Sequence, residues 1–465
     1  MGPFDRAPFI VIWETTRACA LACVHCRAEA VPQRDPRELT TDEGRALLDR
    51  VAAFGDPPPL LVLTGGDPLR RPDIVDLAAY GSRLGLSVSL TPSGTAAVTE
   101  GRLRALREAG LARLAVSLDG ATAEAHDAFR GVVGSHHHTL KIVDRARALG
   151  LPLQINTTVC RRTVGDLPVL ARQVEQLGAV LWALFFLIPI GRAEAGEALG
   201  AAEIEAVLEW AAGLGRRVPF GVKTTEAPHF HRVMAQGPPP GTSRAGAPQA
   251  GRPAPSAARD TTRRAGRAVT DGNGFVFVDH TGNICPSGFL PLVAGNVRSD
   301  DLATVYRESP LFAALRDPSQ LGGRCGRCEF RDVCGGSRAR AFAVTGDALA
   351  EDPGCAWQPA PTAALAIAGG SDAAPPVSEA AVMQALGTVF DPELGMSIVQ
   401  LGLVYDARVR DRTVGITMTL TAPGCPIHDV MPDWVRAAVM RVPGVEAVDV
   451  TLTFEPPWTP DRITI

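Results

Sequence analysis

Apolar positions in the first half of the chain alternate between two spacings. Short apolar runs at 9–13, 60–63, 86–90, 114–118, 153–159 and 181–188 have the length and character of strands covered on both faces. The stretches between them repeat at helical spacing, at about 72–84, 100–109, 139–149, 167–177 and 202–212. One helix is marked at its start by Thr40, with Glu43 three residues on, which is the spacing of a capping box. Six strand–helix units predict an α/β fold with a parallel sheet, curved into a full or partial barrel of (β/α)6 type. In such folds the chemistry collects at the C-terminal ends of the strands. The last ninety or so residues have a different rhythm. A helix near 379–389 is followed by strands near 403–410 and 414–420, a helix near 429–442 and a strand near 445–454. That order predicts a small α+β domain.

Two low-complexity stretches interrupt the pattern. Residues 237–268 hold no bulky apolar side chain, so they cannot bury enough surface to offset the entropy of ordering and predict a disordered insertion. Residues 359–376 predict a linker. The expected domains are a barrel over 1–236, a cysteine-rich region over 269–358 and a small domain over 377–465.

Composition narrows the class. The chain has 465 residues, 46% hydrophobic and 21% charged, with a net charge of −4. Nothing in that balance points to nucleic acid or to an anionic membrane. The longest apolar run, 179–188, is far shorter than a membrane span. The start of the chain has no signal-peptide pattern, which predicts a cytoplasmic protein. Ten cysteines are present, and seven of them fall in two groups. In a reducing compartment such groups bind metal more often than they pair.

Cys19, Cys23 and Cys26 follow the first strand, with three and then two residues between them. Three thiolates on one loop can hold three irons of a 4Fe–4S cluster and leave the fourth open to a substrate or cofactor. A zinc site more naturally supplies four ligands. This spacing, together with the TGGDP segment after the second strand, resembles the radical S-adenosylmethionine (SAM) superfamily over residues 8 to about 230. The resemblance implies that SAM binds the open iron and is reductively cleaved to a 5′-deoxyadenosyl radical that abstracts hydrogen from a substrate. It also implies an electron donor of flavodoxin or ferredoxin type. Gly65, Gly66 and Asp67 match the family's glycine–glycine–acid motif, whose backbone meets the methionine amino group; Asp67 stands where Glu is commoner. Ser117 and Asp119 in VSLDG match positions near the methionine or ribose. Arg130 in HDAFRG matches an arginine near the SAM carboxylate, and Asn156 in INTTV would face the same cofactor. His25 stands where the family has an aromatic residue near the adenine.

Cys325, Cys328, Cys334 and Cys355 form C-x2-C-x5-C-x20-C. Four thiolates close a site for zinc or for a second 4Fe–4S cluster. The spacing resembles the SPASM (or twitch) extension of radical SAM enzymes, which implies an auxiliary 4Fe–4S cluster with an electron-transfer role. A full SPASM domain holds two auxiliary clusters, but here the further ligand positions fall on Asp300 and Arg338. One auxiliary cluster is expected. Cys285 is left as a packing thiol or a residue near substrate. The segment from Gly274 to Cys285 predicts a hairpin.

Lys223, Glu226, His229 and His231 crowd a segment beyond the sixth strand, which suggests either substrate contact or a solvated loop. His136, His137 and His138 are expected in an exposed loop. The N-terminal motifs resemble the branch that includes radical SAM haem-synthesis enzymes, which remove or modify propionate side chains of iron porphyrins, and enzymes that modify ribosomally made peptides. The preferred substrate is a tetrapyrrole or another small metabolite, since the first strand begins too early to leave room for a leader-binding domain. A peptide-modifying enzyme and a non-catalytic cluster carrier are the alternatives. Residues 377–465, with DPELG and TAPGCP, resemble the SufT-like and PaaD-like metal–sulfur cluster assembly domains. Asp391, Glu393 and Cys425 are the matching polar residues, and could transiently hold iron or a nascent cluster.

Overall fold

The computed structural model describes residues 4–236, 268–359, 377–387, 389, 397–410, 412–420, 431–440, 442, 444–459 and 462. Residues 237–267 and 360–376, nearly all of both low-complexity stretches, and Asp391, Glu393 and Cys425 lie outside the described residues; Ala268, at the end of the first stretch, is described and buried. Contacts divide the described residues into two compact units, one made of 4–236 with 268–359 and the other of those from 377 on.

The first unit is built on one sheet of ten strands. Seven run parallel in sequence order: β1 (Ile10–Glu14), β2 (Leu60–Thr64), β3 (Val88–Leu90), β4 (Arg113–Ser117), β5 (Leu153–Val159), β6 (Leu181–Phe186) and β7 (Gly221–Thr225). The first six are rich in apolar residues, as expected of strands in a parallel sheet covered by helices. Six strand–helix units were expected, and β7 is a correction: GVKTT is half-buried throughout, and its polar residues carry no apolar run. It is the edge strand, paired with β6 alone. The sheet is barrel-like and not closed.

Past β1 the sheet continues through β8 (Phe275–Val278), β9 (Asn283–Cys285) and β10 (Gly295–Asn296). β8 and β9 form the expected antiparallel hairpin. β8 also pairs in parallel with β1, Ile10 opposite Phe275 through Trp13 opposite Val278. The cysteine-rich extension is therefore stitched directly onto the sheet that carries the first cysteine loop.

The capping box is present. Thr40 Oγ1 accepts from Glu43 N, and Glu43 Oε2 accepts from Thr40 N, at the start of helix Thr41–Ala52. Leu47, Leu48 and Val51 of that helix are fully buried against Trp13 and Leu61 in the main core. His136, His137 and His138 are not in a loop; they open helix Ser135–Ala148. Among the described residues no helix is long and apolar enough to cross a membrane.

The second unit holds helices Glu379–Leu386 and Met431–Val439 and a three-stranded sheet. Its strands are β11 (Val404–Arg410), β12 (Thr413–Met418) and β13 (Ala447–Leu452), with β11–β12 antiparallel and β12–β13 parallel. Val382, Leu386, Ile416, Met418 and Val435 form its core. This is the α+β arrangement expected.

Candidate active site

Cys19, Cys23 and Cys26 lie on the loop leaving β1, packed together with Leu21, Ala30 and Val132. Each sulfur has a donor or a cation near it. Leu21 N lies 3.3 Å from Cys19 Sγ, Ala30 N lies 3.4 Å from Cys26 Sγ, and Arg130 Nη1 lies 3.8 Å from Cys23 Sγ. Ser93 Oγ lies 3.2 Å from Cys19 Sγ and donates to Gly66 O at 2.7 Å. At Cys19 the contacts from Ser93 and Leu21 favour the thiolate. Burial works the other way and raises the Cys19 thiol.

The loop rests on the turn after β2. Gly66 N donates to Thr16 O at 2.8 Å, and Asp67 N to Ala18 O at 2.7 Å. A Cβ on Gly65 would stand 2.2 Å from Thr16 O, and one on Gly66 would stand 2.6 Å from the carbonyls of Arg17 and Ala18. Two bare residues are thus required for the cysteine loop to lie this close, whatever else they contact. Asp67 is fully buried; its carboxylate accepts from Leu69 N at 3.2 Å and Thr95 Oγ1 at 3.3 Å. Burial pushes that carboxyl above its ordinary value.

Beside the loop is a polar cavity of about 130 Å³. Gly65, Gly66, Ser93, Ser117, His126 and Arg130 are among its lining residues. Ser117 ends β4, and Arg130 ends helix Ala123–Arg130. Arg130 is ion-paired to the buried Asp119, whose other oxygen accepts from Thr158 N at 2.6 Å. Burial opposes the guanidinium charge, but Asp119 and Cys23 outweigh it and hold Arg130 protonated beyond its ordinary value. Asp119 therefore acts through Arg130. Asn156 stands opposite Ser117 on β5, and its Oδ1 accepts from Gln154 Nε2 at 2.7 Å. It is not among the residues lining the cavity. The His25 ring stacks on Phe129, centroids 4.1 Å apart and 14° from parallel. Burial, reinforced by Arg130, pushes its imidazole down to about 3, so it is neutral.

Cys325, Cys328, Cys334 and Cys355 line a single cavity with His229, Arg232 and Trp357. Backbone amides of Asp352, Phe330 and Gly336 donate to Cys325, Cys328 and Cys334, each at 3.4 Å. Burial raises the Cys328, Cys334 and Cys355 thiols, Cys355 to about 11. Metal binding here must therefore displace protons. Among the described residues no three of His, Cys, Asp and Glu gather around a single ion's position.

Asp352 ties this site to its surroundings. Its carboxylate accepts from Ser337 N at 2.6 Å and from Arg340 Nη1 at 3.1 Å, and lies 3.0 Å from His229 Nε2. Glu226, at φ 60°, accepts from Ser337 Oγ at 2.6 Å. Glu226 and His229 thus come to the auxiliary-cysteine side and join the barrel to the extension. Lys223 lies on β7, and His231 is exposed on helix His229–Gln236. Cys285 is buried on β9 opposite Phe277, and burial pushes its thiol up to about 12. Sequence reading missed Ser93 and Asp352. Ser93 had one signal, its place just past β3.

Residues 13–173 match the radical SAM superfamily, and residues 379–451 match the iron–sulfur cluster assembly protein family. An AdoMet-dependent heme synthase of Methanosarcina barkeri is 39% identical over 361 residues, covering 77% of this chain and 99% of that protein. This chain belongs to the radical SAM superfamily. The AdoMet-dependent heme synthase of Nitratidesulfovibrio vulgaris is 37% identical, over 75% of this chain and 92% of its own. The mycofactocin maturase MftC of Mycobacterium tuberculosis is 32% identical, over 76% and 84%. Among radical SAM structures, Streptococcus suis SuiB bound to S-adenosylmethionine matches with a TM-score of 0.59 at 14% identity, over 76% of this chain and 78% of that one. The structure of anSMEcpe with bound AdoMet matches at 0.56 and 14%, over 74% and 93%. These two likenesses are of fold.

The radical SAM residues fit the group the superfamily uses. Three cysteines on one loop, beside a polar cavity with a buried guanidinium, suit a cluster with one open iron and a cofactor bearing a carboxylate. The cofactor and cluster supply the radical chemistry. Cys19, Cys23 and Cys26 would hold the cluster, and the residues around the polar cavity would position the cofactor beside it.

Proposed function

We propose that this enzyme acts on the carboxylate side chains of an iron tetrapyrrole, and that it carries one auxiliary 4Fe–4S cluster. The observation that carries the substrate reading is the likeness to AdoMet-dependent heme synthases, which spans 99% of the Methanosarcina protein and 77% of this chain. Cys19, Cys23 and Cys26 hold the radical-generating cluster in this reading. Gly65, Gly66, Ser117 and Arg130 contact SAM, Arg130 through the cofactor carboxylate. Asp67 and Asp119 position that wall, His25 flanks the adenine and Asn156 supports Ser117 from the next strand.

Cys325, Cys328, Cys334 and Cys355 hold the auxiliary cluster, which passes electrons and leaves no iron open. A flavodoxin- or ferredoxin-type protein supplies the reducing electron. Residues 377–465 load or repair the clusters, with Asp391, Glu393 and Cys425 as ligands.

The test is anaerobic incubation of the reconstituted protein with SAM, dithionite and iron coproporphyrin III. Formation of 5′-deoxyadenosine together with loss of carboxylate mass from the porphyrin supports the reading. 5′-Deoxyadenosine with an unaltered porphyrin refutes the substrate. By cluster stoichiometry the protein should hold about eight irons. Cys325→Ala should lose about half of them, and a variant retaining all would refute the auxiliary cluster.

A further inference from the structure

Four buried or half-buried arginines of the first unit each have a carboxylate partner: Arg27 with Glu14, Arg130 with Asp119, Arg232 with Glu205 and Arg340 with Asp352. Arg192 is different. It lies six residues past the end of β6, at the end of the sheet that carries the cysteine loop. Its turn is pinned to that loop: Arg192 N donates to Cys26 O at 3.1 Å, and a Cβ on Gly191 would stand 2.5 Å from the carbonyls of Cys26 and Arg27. Its Nη1 donates to Ala30 O at 3.4 Å. Its Nε and Nη2 are buried and have no partner. None of the ion pairs among the described residues involves Arg192.

The two orphaned nitrogens are not an arbitrary pair. Nε and Nη2 form the side-on edge of the guanidinium, with two N–H bonds pointing the same way. That edge is the fork that grips both oxygens of one carboxylate. Buried donors without acceptors are costly and call for an explanation in a native structure. A water could accept one bond, but it would leave the charge uncompensated. A carboxylate answers both the two donors and the charge. In the reading proposed above, the SAM carboxylate is held by Arg130.

We infer that the Nε/Nη2 edge of Arg192 is a substrate subsite that grips a carboxylate beside the radical-generating cluster. This deepens the tetrapyrrole reading and rests on it, the carboxylate then being a propionate side chain. Held there, the propionate fixes which face and which edge of the macrocycle meets the cofactor.

The test compares wild-type, Arg192→Gln and Arg192→Lys proteins, each with clusters loaded and iron content measured. Titrated with SAM alone, all three should bind equally; weaker binding by Arg192→Gln would assign the residue to the cofactor and overturn the proposal. Titrated with iron coproporphyrin III, Arg192→Gln should bind about ten- to a hundredfold more weakly, the loss expected for hydrogen bonds to a charged group. Arg192→Lys should recover little, because it keeps the charge but not the fork. The methyl ester of the same porphyrin should bind wild type and Arg192→Gln alike. Equal affinity of wild type and Arg192→Gln for the free acid would overturn the proposal. If wild type binds neither porphyrin, the tetrapyrrole reading fails by itself, and propionate becomes the probe. A rise in Tm with propionate in wild type but not in Arg192→Gln then supports the subsite, and equal responses overturn it.

Discussion

Replacing Gly66 with alanine isolates the packing of the cysteine loop from every other role of the glycine pair. Gly66 has no left-handed φ, so alanine adds no backbone strain. It adds one methyl group, 2.6 Å from two carbonyl oxygens, those of Arg17 and Ala18. Both are backbone atoms, so no flexible side chain can give way. Relief requires the loop to lift by several tenths of an ångström, which stretches the bonds from Gly66 N to Thr16 O and from Asp67 N to Ala18 O. Overpacking of this kind costs about 1–3 kcal/mol, and each weakened backbone bond about 1 kcal/mol. A total of about 3–5 kcal/mol is a large part of a domain's stability of about 5–15 kcal/mol. The displacement falls on the segment that carries Cys19. Gly66→Ala should therefore be less stable and, after anaerobic reconstitution, hold about four irons rather than about eight by cluster stoichiometry, with the auxiliary set retained. Gly101→Ala is the control: a Cβ there meets nothing within 4 Å, and a glycine-to-alanine change inside a helix gains about 0.5–1 kcal/mol. Full iron content and unchanged melting of Gly66→Ala would refute the packing argument.

Asp119→Ala would leave the buried Arg130 charge without its partner and should cost about 3–5 kcal/mol in denaturant unfolding; an unchanged midpoint contradicts this. Burial pushes the Asp119 carboxyl up, but the Arg130 guanidinium and the bond from Thr158 N help hold it below its ordinary value. Its contribution is therefore complete at neutral pH and is lost as pH falls below the ordinary carboxylate value of about 3.9 toward the folded one. The acid limb of the stability profile should be shallower in Asp119→Ala than in wild type. Truncation before residue 377 should lower the iron content of protein isolated from cells while leaving 5′-deoxyadenosine formation by the chemically reconstituted protein intact. Equal iron in truncated and full-length protein would remove the loading role from the C-terminal unit.

What could be read from the sequence was local, and what could not was long-range. The Thr40–Glu43 box and the β8–β9 hairpin each lie within a short stretch of chain, and both stand as read. The helix from Ser135 does not start from a local signal. Its N-cap is Gly134, with no side-chain cap. Asp127, on the preceding helix, supplies the acceptors instead, for His136 N at 2.7 Å and Ser135 Oγ at 2.9 Å. No pattern around the three histidines could announce that. β7 was missed because an edge strand needs no apolar run. The partner of Glu226 is Ser337, more than a hundred residues away, and the pairing of β8 with β1 spans a greater distance still. The orphaned edge of Arg192 is visible only once the turn after β6 meets the cysteine loop.

Asp300 and Arg338 give a physical argument for one auxiliary cluster rather than two. Asp300 accepts from Asn296 N at 2.7 Å and from Ser299 Oγ at 2.9 Å, so it closes the turn after β10. Arg338 is 2% exposed and donates to the carbonyls of Ala348 and Ala350 at 3.0 and 2.7 Å and to Gly336 O at 3.2 Å. A cysteine at 338 would leave those carbonyls without their donor. The arginine also reaches the first of the four auxiliary cysteines, Nη2 lying 3.7 Å from Cys325 Sγ. A cation and a donor at a cluster sulfur stabilise the more negative, reduced cluster and so raise its potential. If the four cysteines hold the proposed cluster, Arg338 would serve it as well as the fold, and the two roles separate by substitution. Arg338→Lys keeps the charge and should shift the auxiliary midpoint little. Arg338→Met removes charge and donors together and should move it negative. Redox titration followed by electron paramagnetic resonance reads both variants against wild type. A midpoint that stays put or rises in Arg338→Met, in protein that still binds its full iron, would leave Arg338 a role in folding alone.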